Sequence, residues 1–136
     1  MIAFFDASAL IYLVEGAELF AGRIRLELAR VSKKYPNLQV ALSRLSWLEC
    51  RIHPMRNDEH ATLAAFDRFF VRPDLIWVEL SKDVVELATA IRVKHGARVP
   101  DALQAACCLQ LGPDHLFFTG DAGFSRVAGL KVKLLI

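Results

Sequence analysis

Ile2-Ala-Phe-Phe-Asp6-Ala-Ser8 is the stretch on which the fold turns. Four apolar residues closed by a carboxylate are too few for a helix and lack the alternation of a strand wetted on one face. They read as a strand buried on both sides, with Asp6 at its carboxyl end. Ser8 offers an N-cap for a helix carrying Leu10, Ile11, Leu13 and Val14, which Gly16 interrupts.

Outward from there the pattern repeats. A longer helix sets Ala17, Phe20, Ile24, Leu28 and Val31 on one face and Arg23, Glu27, Arg30 and Lys34 on others, and Pro36-Asn37 ends it. Leu38–Ser43 reads as a second strand. Ser46–Met55 reads as a helix whose end Pro54 blurs. Asn57-Asp58-Glu59 opens a helix that buries Leu63, Phe66, Phe69 and Phe70. Leu75–Leu80 is a strand, and Ser81 caps a helix with Val84, Leu87, Ala88 and Ile91 in register, closed by Lys94, His95 and Gly96. Pro100-Asp101 starts the helix Ala102–Leu111. His115–Thr119 is a fourth strand, Asp121–Val127 a helical turn and Lys131–Ile136 a last strand. Strands alternating with helices predict an α/β fold, a three-layer sandwich with a mainly parallel central sheet flanked by helices.

The 136 residues fit one compact domain, 1–136. Hydrophobic residues make up 54% of the chain and mean hydropathy is +0.33. That suits a sheet buried on both faces and is compatible with an apolar surface covered by a partner. Asp6 breaks the apolar run Met1–Leu13, which falls short of the roughly 20 residues of a spanning helix. No basic leader precedes it, which argues against a secretory signal. The net charge of +2 is too mild to announce nucleic-acid binding by itself. Cys50, Cys107 and Cys108, odd in number and set in apolar segments, suit reduced core residues of a cytoplasmic protein.

Four acids sit where open α/β sheets collect their chemistry, at strand carboxyl ends and helix starts. Asp6 ends the first strand, Asp121 follows the fourth, Asp101 opens a helix and Glu49 lies in an apolar helical segment. Each has a plain structural alternative. Asp6, Asp101 and Asp121 can be helix-start acids, and Glu49 can pair with Arg51 or His53. Four carboxylates at one edge are harder to explain as stability, because like charges repel unless a cation neutralises them. Carboxylates with water and phosphate oxygens are the usual ligands of Mg2+ and Mn2+.

The neighbours of these acids carry a resemblance. Phe5-Asp6-Ala-Ser-Ala-Leu10 resembles the opening Asp-x-Ser-x-Leu of PIN domains, and Leu45-Ser-Trp-Leu-Glu-Cys-Arg51 the segment around that family's Glu. Val99-Pro-Asp-Ala-Leu-Gln-Ala-Ala106 is similar to its Pro-Asp-Ala-Leu/Ile-x-Ala-Ala, and Phe118-Thr-Gly-Asp-Ala-Gly-Phe124 to its closing Thr-Asn-Asp-x-Asp-Phe. The motifs come in family order over nearly the whole chain, and the small format resembles VapC toxins. The resemblance implies a PIN fold and a metal-dependent endoribonuclease. Asp6, Glu49, Asp101 and Asp121 would hold Mg2+ or Mn2+, with Ser8 and Thr119 as supporting polar residues. It further implies an RNA substrate, a VapB-like antitoxin and a homodimer. Gly120 stands where Asn is usual and Gly123 where a further acid is common, which puts one ligand in doubt.

A nuclease also needs cations for the phosphate backbone. Arg44 and Arg51 flank Glu49, and Arg98 precedes Asp101; these three are the RNA-binding candidates, with solvated helix ends as their alternative. Trp47 and Tyr12 are aromatics that could stack bases, core packing being the better expectation for Trp47. Phosphatases of the HAD class also open with a strand ending in Asp but need a second Asp two residues on, where this chain has Ser8. Receiver domains want a Lys after a late strand, where this chain has Gly120-Asp121. Two readings stay open beside the toxin: a PIN-like module that binds RNA or protein without cutting, and a PIN nuclease of RNA processing without an antitoxin.

Overall fold

A computed structural model describes residues 1–16 and 18–135. Ala17 and Ile136, placed above on a helix face and in the last strand, lie outside the described residues. The elements are β1 (Ile2–Phe5), α1 (Ala7–Glu15), α2 (Glu18–Lys34), β2 (Gln39–Ser43), α3 (Arg44–Arg56), α4 (His60–Phe70), β3 (Leu75–Val78), α5 (Lys82–His95), α6 (Val99–Leu109), β4 (His115–Thr119), a 3-10 turn (Ala122–Arg126) and β5 (Val132–Leu134).

The five strands form one sheet in the order β3-β2-β1-β4-β5, and every pairing is parallel. Parallel neighbours need crossovers, and helices supply them on both faces. The register sets Phe4 against Phe117 and Phe5 against Phe118. Period-2 alternation then sends the two pairs to opposite faces. Phe4 and Phe117 stack with ring centroids 5.4 Å apart and pack with Val84, Ala88 and Ile91 of α5 and Ala102, Ala105 and Ala106 of α6. Phe5 and Phe118 meet edge to face at 5.1 Å and pack with Leu10, Ile24, Cys50, Phe66 and Phe70 from α1 to α4. All six side chains named on α5 and α6, and both phenylalanine pairs, are buried. This is why the strands read as unbroken apolar runs.

Several boundaries differ from the sequence reading: β3 ends at Val78 and not Leu80, and α6 runs Val99–Leu109 and not Ala102–Leu111. α3 starts at Arg44, before the expected Ser46, because Ser43 caps it: the Leu45 N–H donates to Ser43 Oγ at 3.1 Å. Pro54 lies inside α3, in its last turn, where a missing N–H removes little of the ladder. Gly16 and Gly96 close α1 and α5 in the left-handed region, at φ 73° and 69°. All three cysteines are free and buried. Among the described residues no helix is long and apolar enough to cross a membrane.

Candidate functional site

β1 and β4 are neighbours, yet the chain leaves β1 toward β2 and β3 and returns to β4 on the other side. That reversal makes a crevice at their carboxyl ends, the usual ligand position in open parallel sheets. Asp6 and Asp121 emerge there.

Asp6 is 4% exposed and caps α1, its Oδ1 accepting from the Ala9 N–H at 2.9 Å. The Ser8 hydroxyl donates to the same oxygen at 2.7 Å, and the Thr119 hydroxyl donates to Oδ2 at 2.5 Å. Both hydroxyls also reach the far strand end. Ser8 Oγ accepts from the Gly120 N–H at 3.1 Å, and Thr119 Oγ1 from the Asp121 N–H at 3.0 Å. Asp6 is thus fixed by three donors that lock β1 to β4.

Glu49 comes from α3. Its Oε1 accepts from Gln104 Nε2 at 2.9 Å, and the same Gln104 group donates to Ser46 Oγ at 2.9 Å. Gln104 is buried, and its own Oε1 has no hydrogen-bond partner. Asp101 sits in the first turn of α6, 3.3 Å from Arg98 Nε. Asp121 caps the 3-10 turn, accepting from the Gly123 N–H at 2.8 Å. The four acids line one cavity of about 200 Å³ together with Ser8, Arg98 and Gln104. Among the described residues no three His, Cys, Asp or Glu side chains are drawn tightly enough to form a ready-made metal cage.

The cavity makes ionisation difficult. Burial raises the Asp6 carboxyl above its ordinary value; the bonds from Thr119, Ala9 and Ser8 pull it back, and the Asp101 charge raises it further. Burial likewise raises Glu49, opposed by the Gln104 bond and Arg98 and reinforced by Asp101 and Asp6. Asp6, Glu49 and Asp101 thus lie within electrostatic reach of one another.

The family model of the PIN domain matches residues 3–130. The chain belongs to the PIN-domain family. No curated protein matches it by sequence. Three solved structures share the PIN architecture at low identity. VapBC2 from Rickettsia felis, bound to a DNA fragment from its promoter, aligns at TM-score 0.78 and 15% identity, covering 100% of both chains. VapBC-1 from nontypeable Haemophilus influenzae aligns at 0.72 and 18%, covering 99% of this chain and 98% of that one. A toxin–antitoxin complex from Klebsiella pneumoniae aligns at 0.68 and 21%, covering 98% of each.

The two departures from the PIN motif have structural correlates. A Cβ at Gly120 would fall 2.7 Å from Cε2 and Oη of Tyr12, so the phenol already fills that space. A Cβ at Gly123 would come within 3.1 Å of Asp121 Oδ1. Gln104, which sequence reasoning missed, occupies the position that the PIN motif leaves open. A polar residue between Leu103 and Ala105, inside the apolar run that follows Asp101, was the available signal.

Of the arginines singled out from sequence, only Arg98 lines the acid cavity. Arg44 makes a bidentate pair with Glu79 at 3.0 and 2.8 Å and lies over the Trp77 ring. Arg51 pairs with Asp67 at 3.2 Å beside the Trp47 ring. Trp47 packs on Phe70 and Trp77, and Tyr12 has one face stacked on Phe20.

Proposed function

We propose that this PIN domain is a Mg2+- or Mn2+-dependent endoribonuclease, a VapC-like toxin that a VapB-like antitoxin restrains. One observation carries the reading. Four carboxylates share one cavity, and burial with neighbouring like charge disfavours the charged form of Asp6 and Glu49 there, a cost that a divalent cation offsets. Stability alone gives no reason to converge them.

The donor set fits such an ion in chemistry. All four groups are hard oxygen ligands, and Asp6 keeps an acceptor site free beyond its three hydrogen bonds. When bound, Mg2+ or Mn2+ supplies an activated water and neutralises charge that builds on a phosphodiester. Asp6 is the fixed ligand, held by Ser8 and Thr119. Glu49, which accepts from Gln104, would hold the ion with Asp6, and Asp101 and Asp121 on the same cavity would complete the set. Arg98, paired with Asp101 at the cavity rim, is placed to meet a phosphate oxygen.

The toxin part of the reading rests on the three similar structures, each of a toxin–antitoxin complex. It is supported by an apolar groove on α3, formed by Trp47, Leu48, Ile52 and Met55, that a partner could cover. A homodimer and a cytoplasmic location belong to the same reading.

The test is cleavage of a mixed RNA pool by the purified chain, with Mg2+ or Mn2+ against EDTA. The expected result is metal-dependent cutting that Asp6→Asn and Asp101→Asn both abolish. A well-folded wild type that neither cuts RNA nor binds Mn2+ would sink the enzyme and favour a PIN-like module that binds without cutting.

A further inference from the structure

Beside the acid cavity lies a second one of about 200 Å³, lined by His95, Arg98, Arg126, Asp101, Asp121 and Phe124 among others. Arg98, Asp101, Asp121 and Phe124 belong to both cavities, so the two share a wall. We propose that this second cavity binds a backbone phosphate of single-stranded RNA, next to the phosphodiester held at the acids, with Arg126 as its principal cation. The proposal rests on the nuclease reading of the acid cavity.

Three features of the chain support it. First, Arg126 ends the 3-10 turn exposed, and among the described residues it has no carboxylate within ion-pair distance. This contrasts with Arg44 and Arg51, whose charges are answered by Glu79 and Asp67. Second, the wall opposite is preformed. Gly96 turns the chain out of α5, and the Arg92 guanidinium donates to the Ala97 carbonyl at 2.8 Å, pinning the turn that carries His95 and Arg98. Arg98 itself stands at the N-cap of α6 and provides no capping bond.

Third, the two carboxylates that line the cavity are already engaged: Asp101 pairs with Arg98 at 3.3 Å, and Asp121 accepts from the Gly123 N–H at 2.8 Å. Among the described residues this leaves Arg126 and His95 with no carboxylate within ion-pair distance. Those two side chains and the turn that carries Arg98 form a recess that fits a phosphate with or without a metal at the acids. Phosphate contacts of this kind set register on the strand and carry no sequence preference.

The measurement is binding of a short labelled single-stranded RNA by fluorescence anisotropy in EDTA, across a salt series, so that no cutting is needed. Arg126→Ala should weaken binding about fivefold and flatten the slope of log K against log salt by about 0.7, the increment for one phosphate contact on a single strand. Arg126→Lys should keep the slope. Lys82→Ala removes the same charge about 20 Å away along α5 and should change neither quantity. Wild-type affinity and slope in Arg126→Ala would overturn the subsite, as would a wild type that binds no RNA. Cleavage in Mn2+ judges the acid cavity separately: a chain that binds through Arg126 but never cuts keeps the subsite and loses the nuclease.

Discussion

Replacing Gly120 by alanine tests whether Tyr12 occupies the room that a side chain takes elsewhere in the family. The added Cβ would stand 2.7 Å from Cε2 and Oη of Tyr12 and 3.1 Å from Cζ. Carbon contacts are comfortable at about 3.5–4.0 Å, so the phenol must retreat by roughly 1 Å. It is not free to do so without loss, because its ring stacks on Phe20 at a centroid distance of 4.6 Å. Overpacking of this kind costs about 1–3 kcal/mol, and the low end applies because the clash is with the tip of a side chain. For 136 residues each kcal/mol corresponds to roughly 3–4 °C in Tm. Gly120→Ala should therefore lower Tm by about 3–5 °C in a thermal melt. In a Tyr12→Ala background the same substitution should cost under about 0.5 kcal/mol, leaving a coupling of about 0.5 kcal/mol or more. An equal cost in both backgrounds, or a neutral Gly120→Ala, refutes the steric account.

Three further outcomes follow from the acid cavity. Asp6 and Glu49 have folded-state values raised above their ordinary 3.8 and 4.5, so their contribution to stability is full below those ordinary values and is lost as pH rises through the raised ones. In EDTA the urea midpoint of the wild type should fall over that window more steeply than that of Glu49→Gln, and parallel curves would contradict it. Gln104→Leu removes the donor that favours ionised Glu49, so calorimetric Mn2+ affinity at neutral pH should drop about tenfold; unchanged affinity would leave Gln104 a packing residue. Saturating Mn2+ at about 100 times its Kd should add roughly 2.7 kcal/mol to the stability of the wild type, with little gain in Asp6→Asn, and equal gains in both would place the ion elsewhere.

The strands were legible because the sheet is buried on both faces, which turns β1 and β4 into unbroken apolar runs whose ends need no further signal. Strand order was not, since parallel pairing depends on where each crossover helix packs and no short pattern records that. The helix starts were half legible. Ser43 and Ser46 both suit a cap, and only the tertiary placement of β2 decides for Ser43. Acids at strand ends and helix starts stood out because topology fixes where such positions lie. The fates of Arg44 and Arg51 did not, because their partners Glu79 and Asp67 lie on separate elements. The contact between Tyr12 and Gly120 is equally long-range, and without it Gly120 reads as a missing side chain instead of a filled space.

Asp6 shows why a structural role and a chemical one need not compete. Capping α1 takes one oxygen, which Ser or Asn supplies without burying a charge. This carboxylate is instead 4% exposed, raised by burial and by Asp101, and held by two hydroxyls besides the backbone donor. Gln104 repeats the pattern for Glu49: it serves that carboxylate while its own carbonyl oxygen goes unpaired in the interior, a cost of about 1–3 kcal/mol. A cap chosen for stability would avoid the like charge of Asp101, and a core residue chosen for stability would be apolar at 104. Local choices that weaken the fold and converge on one cavity are what a functional site leaves behind.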